Sequence, residues 1–473
     1  MKSKSSRICL LAASALAGLG VARGVTADCP SDLNASGAVD GGDLALMLSG
    51  WGGAAGDVTG DGTTDGSDLA ALLGGWGACP PEVEWDLVSR LDATTTTAYD
   101  TAGAVTDSWG GTGNGASVAY FFPDGRLVRP SVYPGGSFNG GAKGGRVQVF
   151  NAAGAVENTL VLATSTMWQH HDVCPMPNGN ILCIVWDLHT QAEGLAAGRT
   201  GLASAIWSEM LLEIRPTGGT TYEVVWQWKL WNHLIQDANS ALGNFGVVSA
   251  HPELVDINLG TINGGDWVHM NAVDYDATRD EIVVSSRALN EVWVIDHSTS
   301  TAEAATHTGG RHGHGGDILW RWGNPQNYDR GTAANQVFYV VHSATWIDQG
   351  MPGAGNVLAF NNGDRAGTTN DYSTVVELAP PRDTADNYIT PASGAFGPAA
   401  PAWSVGGVGG FYGGPTQCGA FRTLDNTTLI TLTNSGTLFE VNSAGATIAT
   451  RTLTGQVARV PRYRLVNGLW QGH

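Results

Sequence analysis

From about residue 84 onward the chain repeats one local pattern, an apolar alternation that runs into an Asn, Asp or polar turn carrying Gly. It occurs at Val147–Gly154, Leu211–Gly218 and Leu438–Gly445, and Val292–His297 has the same shape. A second unit often precedes it, in which a polar turn with Gly or Asn opens a hydrophobic run. Examples are Asn178–Val185, Gly355–Phe360 and Asn426–Leu432. Short alternating runs bounded by such turns are strands. Units that return every ~40–70 residues and cannot bury both faces alone must stack on copies of themselves. The expected fold is therefore all-β, a six-bladed β-propeller over 84–473, with a pair of β-sandwiches as the alternative. Composition agrees: 66 Gly, 19 Pro, 17 Trp and only 14% charged residues disfavour a helical protein.

The two ends of the propeller segment differ from it. Residues 1–27 read as a secretory signal peptide, with Lys2, Lys4 and Arg7 ahead of the apolar run Ile8–Leu19 and the small residues Val25-Thr26-Ala27 at its end. The run is too short for a convincing membrane span, and the mature protein is expected to be secreted, periplasmic or extracellular. In that compartment Cys29 and Cys79 are expected to pair. Cys174 and Cys183 flank the turn Pro177-Asn178-Gly179, and either bridge two strands or remain buried thiols along with Cys418. The formal charge of −19 repels a phosphate backbone, so nucleic acid is excluded as a partner.

Between Cys29 and Cys79 lies a duplication. Asp32, Asn34, Ser36, Asp40 and Asp43 recur 25 residues later as Asp57, Thr59, Asp61, Asp65 and Asp68, at positions 1, 3, 5, 9 and 12 of each loop. Gly37 and Gly62 stand at position 6, and each copy continues into an apolar helix-like run closed by Gly-Trp-Gly. Alternate oxygen side chains around a sharp glycine bend suit a hard cation. The segment 28–80 is expected to be a small α-helical EF-hand module that binds Ca2+ through these ten side chains. It resembles a dockerin-like repeat pair, which implies a cohesin-type or cell-envelope partner.

In the propeller segment three histidines occupy matching places. His171, His269 and His342 each stand roughly a dozen residues ahead of a second-unit strand, with a turn between. Near Cys418–Phe421 a fourth copy carries no His. Matched positions on successive blades lie at the same radius, so the three imidazoles are expected to converge at the central channel. Arg287 ends the run Val283–Arg287, one strand after His269, and returns to the same end. A guanidinium beside imidazoles suits a tetrahedral oxyanion better than a metal cation. His312-Gly313-His314 offers metal-ligand types, but its flanking Gly and Arg311 point to a flexible loop. His233 and His251 lie in a polar stretch and are either pocket-rim or packing residues. Trp226, Trp228 and Trp231 read as packing residues.

These motifs resemble those of the bacterial arylsulfate sulfotransferases. Asp266-Trp267-Val268-His269-Met270-Asn271 with Ser285-Ser286-Arg287 is similar to the family's central signature. His170-His171-Asp172, Ile318–Gly323, Val341-His342 with Asn361-Asn362-Gly363, and Val457–Tyr463 are similar to its other motifs. Val341-His342-Ser343 stands where the family usually has Gln-His-Asp, and Asn361-Asn362-Gly363 where it has Asp-Asn-Gly. The resemblance implies a six-bladed propeller and nucleotide-independent transfer of a sulfuryl group from a phenolic sulfate ester to a phenolic acceptor. It implies His342 as the nucleophile that forms a sulfohistidine, with His171, His269 and Arg287 on the sulfuryl oxygens. Asn271 and His170 would border the substrate. Two rivals remain at this stage: a non-catalytic propeller that binds sulfated or phenolic ligands or a protein partner, and a propeller with a quinone or metal cofactor.

Overall fold

The structure is a computed structural model that describes residues 29–34, 36–79, 83–262, 265–365, 370–466 and 468–472. The segment read as a signal peptide lies outside the described residues. The chain divides into two compact units, residues 1–82 and 83–473.

In the first unit each acidic loop leads into a nine-residue helix, α1 (Gly41–Ser49) and α2 (Gly66–Gly74). Asp40 and Asp65 cap them, and Asp43 and Asp68 complete reciprocal capping boxes. Met47 and Leu72 are fully buried and pack with Cys29 and Val39. Cys29 and Cys79 form a disulfide, and Ala38–Val39 pairs with Gly77–Ala78 beside it. A segment this small builds little core, and the disulfide offsets that.

In the second unit the chain winds through six antiparallel sheets, each the blade of a propeller. Blade 2 comprises Tyr120–Phe121, Leu127–Val132, Gly145–Phe150 and Val156–Val161. Blade 3 comprises Met167–Pro175, Ile181–His189, Ile206–Gly218 and Thr221–Lys229. Blade 4 comprises Met270–Asp276, Glu281–Ser286, Glu291–Asp296 and Ile318–Trp322. Blade 5 comprises Val341–Trp346, Val357–Asn361, Thr374–Leu378 and Trp403–Gly406. Blade 6 comprises Gly419–Arg422, Thr428–Leu432, Thr437–Val441 and Thr447–Thr452. Blade 1 joins both ends of the unit: Glu84–Ser89, Thr95–Tyr99 and Val105–Gly110 take Arg462–Val466 as an inner strand, with Leu469–Gln471 beyond it. That pairing of the two ends of the unit in one sheet closes the ring.

The two repeated units of the sequence are the second and third strands of the blades. Their turns are built alike: Asn151 Oδ1 accepts from the N–H groups of Ala153 and Ala155, and Asn442 Oδ1 from those of Ala444 and Ala446. Inner strands are buried on both faces because neighbouring blades cover them. One apolar cluster joins blades 3 and 4 through Leu182, Ile184, Val273 and Val284, and another joins blades 4 and 5 through Val283, Val294, Val357 and Ala359.

Cys174, Cys183 and Cys418 are all buried free thiols. The possible bridge between Cys174 and Cys183 is ruled out by register. Cys174 sits opposite Leu182 and Cys183 opposite Val173, so the two thiols fall on opposite faces of the blade.

Candidate functional site

The inner strands of blades 3, 4 and 5 are each broken by a bulge at or within two residues of the histidine. The register slips between Gln169 and Val173, between Met270 and Ala272, and between His342 and Thr345. At these breaks His171, His269 and Ser343 adopt φ of 50°, 54° and 56°. Val340, a β-branched residue, is held at φ 61°, with its N–H donating to Asn290 Oδ1. Left-handed backbone at a β-branched residue costs energy and is held in place by its surroundings. Bulges re-aim side chains, and here they do so at one level of three successive blades.

The His171 and His269 rings meet edge to face, 4.6 Å between centroids. Arg287 reaches the same place because its N–H donates to His269 O at 3.0 Å. The ring of His342 is 3% exposed, and its basicity is pushed down to about 3 by burial, with the charges of Arg287 and His269 adding to it. Burial also lowers Arg287, though a guanidinium stays charged. These four side chains form one cluster on blades 3 to 5.

Each of the three imidazoles is held by a partner. Asn362 donates through Nδ2 to Gly414 O at 2.7 Å and Gln417 O at 3.0 Å, which fixes its amide orientation. Its Oδ1 therefore faces His342 Nδ1, 2.7 Å away, and accepts the ring proton. The lone pair of neutral His342 is then assigned to Nε2, which accepts from the N–H of Gln417 at 3.2 Å. His269 Nδ1 donates to Asp266 Oδ2 at 2.5 Å. That leaves His269 Nε2 free to face outward.

Behind His171 runs a buried chain of ionisable groups. His171 Nδ1 lies 2.8 Å from His170 Nδ1, and His170 Nε2 lies 2.9 Å from Glu209 Oε2. His170 stacks on Trp186 at 4.0 Å. Burial pushes both histidines well below the usual imidazole range and Glu209 well above the usual carboxyl range. A carboxyl proton retained by Glu209 is placed to be donated to His170 Nε2; in that tautomer His170 Nδ1–H donates to His171 Nδ1 and the His171 proton sits on Nε2.

His170 is thus fully buried with both ring nitrogens occupied. Asn271 is engaged as well: its Nδ2 donates to Val341 O at 2.8 Å, and its Oδ1 accepts from Ser285 at 2.5 Å. Both sit behind the cluster as supports, bracing blade 3 and the junction of blades 4 and 5.

Several supporting groups escaped the sequence reading. Glu209 lies in the third strand of blade 3, far from any histidine motif. Gln417 acts through its backbone, just ahead of blade 6, whose copy of the motif carries no His. Asp172 accepts from Tyr120 and pairs with Arg459, which lies just before the closing strand Arg462–Val466. Gly140 and Gly141 pass over the site: a Cβ at Gly140 would stand 2.5 Å from the Trp186 ring, and one at Gly141 3.5 Å from His269 Cε1.

The remaining histidines lie elsewhere. His312 is not in a loose loop: its Nε2 lies 2.9 Å from buried Glu281, which Arg382 and Tyr388 also contact. Glu281 is the first cause of the raised basicity of His312. His251 and His312 line a cavity of about 1020 Å³ away from the four-residue cluster. His233 is fully buried, and Trp226 and Trp228 are core residues. A second cavity, about 500 Å³, is lined by the C-terminal ends of inner strands, including Pro175, Asp276 and Trp346.

In the first unit Gly37 and Gly62 take φ of 85° and 94°, as position 6 of a cation loop requires. Carboxylate oxygens of Asp57, Asp61 and Asp68 lie within 4.8 Å of one another. In the first loop, Asp32 accepts from the N–H groups of Ser36 and Gly37, and Asp43 from those of Asn34 and Asp40. The oxygens present fit a hard divalent cation.

Among the described residues no helix is long and apolar enough to cross a membrane. The family model described as arylsulfotransferase (ASST) matches residues 92–382, from blade 1 past the third strand of blade 5. No curated protein matches the chain. Similar solved structures include a protein of unknown function from Bacteroides caccae, 10% identical, covering 79% of this chain and 93% of that chain, with a TM-score of 0.39. The β-propeller domain of Cps50 (Swd1) from Myceliophteria thermophila is 10% identical, with coverage of 82% and 92% and a TM-score of 0.38. Virginiamycin B lyase from Staphylococcus aureus is 9% identical, with coverage of 82% and 89% and a TM-score of 0.35.

Proposed function

The chain belongs to the arylsulfotransferase family, and from that premise we propose that it moves a sulfuryl group between phenols through a sulfohistidine at His342. The observation that carries this reading is the state of that ring: buried, neutral, with Nδ1–H held by Asn362 and the lone pair at Nε2. A neutral imidazole is a competent nucleophile, and a covalent intermediate divides one displacement into two.

In the first half-reaction Nε2 leaves its contact with the Gln417 N–H and attacks sulfur. The N–S bond forms as the S–O(aryl) bond breaks, and the electron pair departs on the phenolate. Arg287 and the neighbouring imidazoles face the sulfuryl oxygens, where charge is concentrated. His171 Nε2–H protonates the departing oxygen. Its replacement proton comes through His170 from Glu209, which ends as the carboxylate. In the second half-reaction an acceptor phenol attacks sulfur, the N–S electrons return to His342, and the acceptor proton refills the chain. The His269–Asp266 pair holds the second imidazole toward the sulfuryl group. No nucleotide donor enters this scheme.

The test is incubation with 4-nitrophenyl sulfate and phenol. Release of nitrophenol by the wild type, and none by folded His342→Ala protein, supports the proposal. Equal turnover by His342→Ala, or ligand binding without turnover by the wild type, overturns it and favours a recognition propeller.

The first unit is proposed as a dockerin-like Ca2+ module, with Asp32, Asn34, Ser36, Asp40 and Asp43 in one loop and Asp57, Thr59, Asp61, Asp65 and Asp68 in the other. Ca2+ would join the two ends of each loop, and a cohesin-type or cell-envelope surface is the partner class. Export through the leader at 1–27 belongs to the same proposal.

A further inference from the structure

Outside the sulfuryl-transfer cluster, His233, His307 and Asp317 bring three metal-ligating atoms within 4.8 Å of one another. His233 lies in the excursion between blades 3 and 4, just before Leu234–Ile235. His307 and Asp317 belong to the long connection between the third and fourth strands of blade 4.

Both ring nitrogens of His233 are engaged. Its Nε2 lies 2.9 Å from Ala304 O. A carbonyl oxygen only accepts, so the ring proton sits on Nε2. His233 Nδ1 lies 2.8 Å from Asp317 Oδ1 in the same buried place. His307 Nδ1 lies 2.7 Å from the same oxygen. The three ligand atoms thus surround one place that a divalent cation can occupy.

The site is built rather than incidental. His233 is fully buried and lies parallel to Trp228, with 5.7 Å between centroids. Its N–H donates to Leu230 O, and its carbonyl accepts from Val255 N–H. Gly316 lets the chain pass, since a Cβ there would stand 2.7 Å from His233 Nε2 and 2.2 Å from Ala304 O. Asp317 is 4% exposed, whereas the His307 side chain is 58% exposed and free to swing. Bonds of about 2.0–2.2 Å to zinc place ligand atoms about 3.3 Å apart, so admitting the ion requires the ligands to part by roughly half an ångström. The 1020 Å³ cavity, lined by His251, Glu253, His307 and His314, opens beside the three ligands.

We propose that His233, His307 and Asp317 bind a zinc-class divalent ion, with an open coordination position toward that cavity. Imidazole and carboxylate donors suit Zn2+ and its neighbours, and a two-imidazole set discriminates against the oxygen-seeking Ca2+. The ion ties the excursion after blade 3 to the outer connection of blade 4.

The test uses the full chain, stripped with EDTA and resupplied with excess Ca2+ to fill the acidic loops. Zn2+ titration by calorimetry is expected to show one further equivalent with micromolar or tighter affinity, and Co2+ in its place is expected to give visible d–d absorption. Exposed His307→Ala, with an unchanged metal-free melting temperature, should weaken that equivalent by at least the ~100-fold that even an outer partner's loss can cause. Asp317→Asn should weaken it likewise. No Zn2+ uptake by the wild type overturns the proposal, and so does uptake that both variants leave unchanged.

Discussion

Asn362 Oδ1 lies 2.7 Å from His342 Nδ1, and its amide nitrogen is spent on two backbone carbonyls, those of Gly414 and Gln417. One side chain thus fixes the tautomer of the proposed nucleophile and is itself unable to flip.

Replacement of Asn362 by Leu removes the acceptor and frees the imidazole to rotate or change tautomer. In 4-nitrophenyl sulfate turnover kcat should fall by about 10²–10⁴-fold, the scale that loss of a tautomer-fixing partner produces, with the smaller change in KM. Asn362→Asp keeps an acceptor toward His342 but turns an oxygen on Gly414 O and Gln417 O. It should lower the melting temperature, because buried acceptors then face one another. A full-activity Asn362→Leu enzyme would show that the contact does not position the ring.

Glu209→Gln preserves a hydrogen bond to His170 Nε2 while abolishing proton supply. Donors whose phenols are poor leaving groups should lose about 10²-fold or more in kcat, the lower range for a missing general acid. 4-Nitrophenyl sulfate, which departs readily as the anion, should lose far less. The measurement is the slope of log kcat against leaving-group pKa, expected to steepen in the variant. A parallel drop for all donors would indicate a structural role alone.

Acid stability carries the signature of the buried rings. His170, His171 and His342 all sit below the ordinary imidazole value in the folded state, His342 at about 3. The unfolded chain therefore binds more protons below pH ~6.5, and stability falls as pH falls. Each such ring contributes ~1.4 kcal/mol per pH unit. Glu209 opposes one of them above its ordinary value, because the folded state retains its proton. Between pH 6.5 and 4.5 urea unfolding should show this loss, with a slope shallower by one ring's share in His342→Asn. An unchanged slope would mean that His342 is not held neutral by the fold.

Calcium should act on the first unit alone. Among the described residues Asp61 accepts only a local turn N–H from Thr63, so Asp61→Ala removes a ligand with little other disturbance. Scanning calorimetry in Ca2+ should show a transition raised by the ion, by ~4 kcal/mol at a thousandfold excess over Kd. Asp61→Ala should reduce that gain and leave sulfuryl transfer intact. Insensitivity of every transition to Ca2+ would overturn the cation reading of these loops.

The propeller was legible because its repeats are local. Strand–turn units such as Asn178–Val185 and Val147–Gly154 declare themselves by alternation and turn chemistry, and their copies imply stacking. The three histidines were legible because they hold equal places in those copies. Cys174 and Cys183 were not, since a one-residue register offset decides which face each thiol takes. The reading of His312 as part of a mobile loop failed because its partner Glu281 belongs to another strand, 31 residues away.

By itself, the amino-acid order determined the blades, the duplicated acidic loops and the set of histidines, since all of these rest on periodicity and spacing within one stretch of chain. What faces what was decided only when the ring closed. Glu209 behind His170, the Gln417 N–H on His342, Arg459 on Asp172 and His233 against Asp317 each join segments tens to hundreds of residues apart. Such contacts depend on the angle and register of whole sheets, which no local pattern encodes.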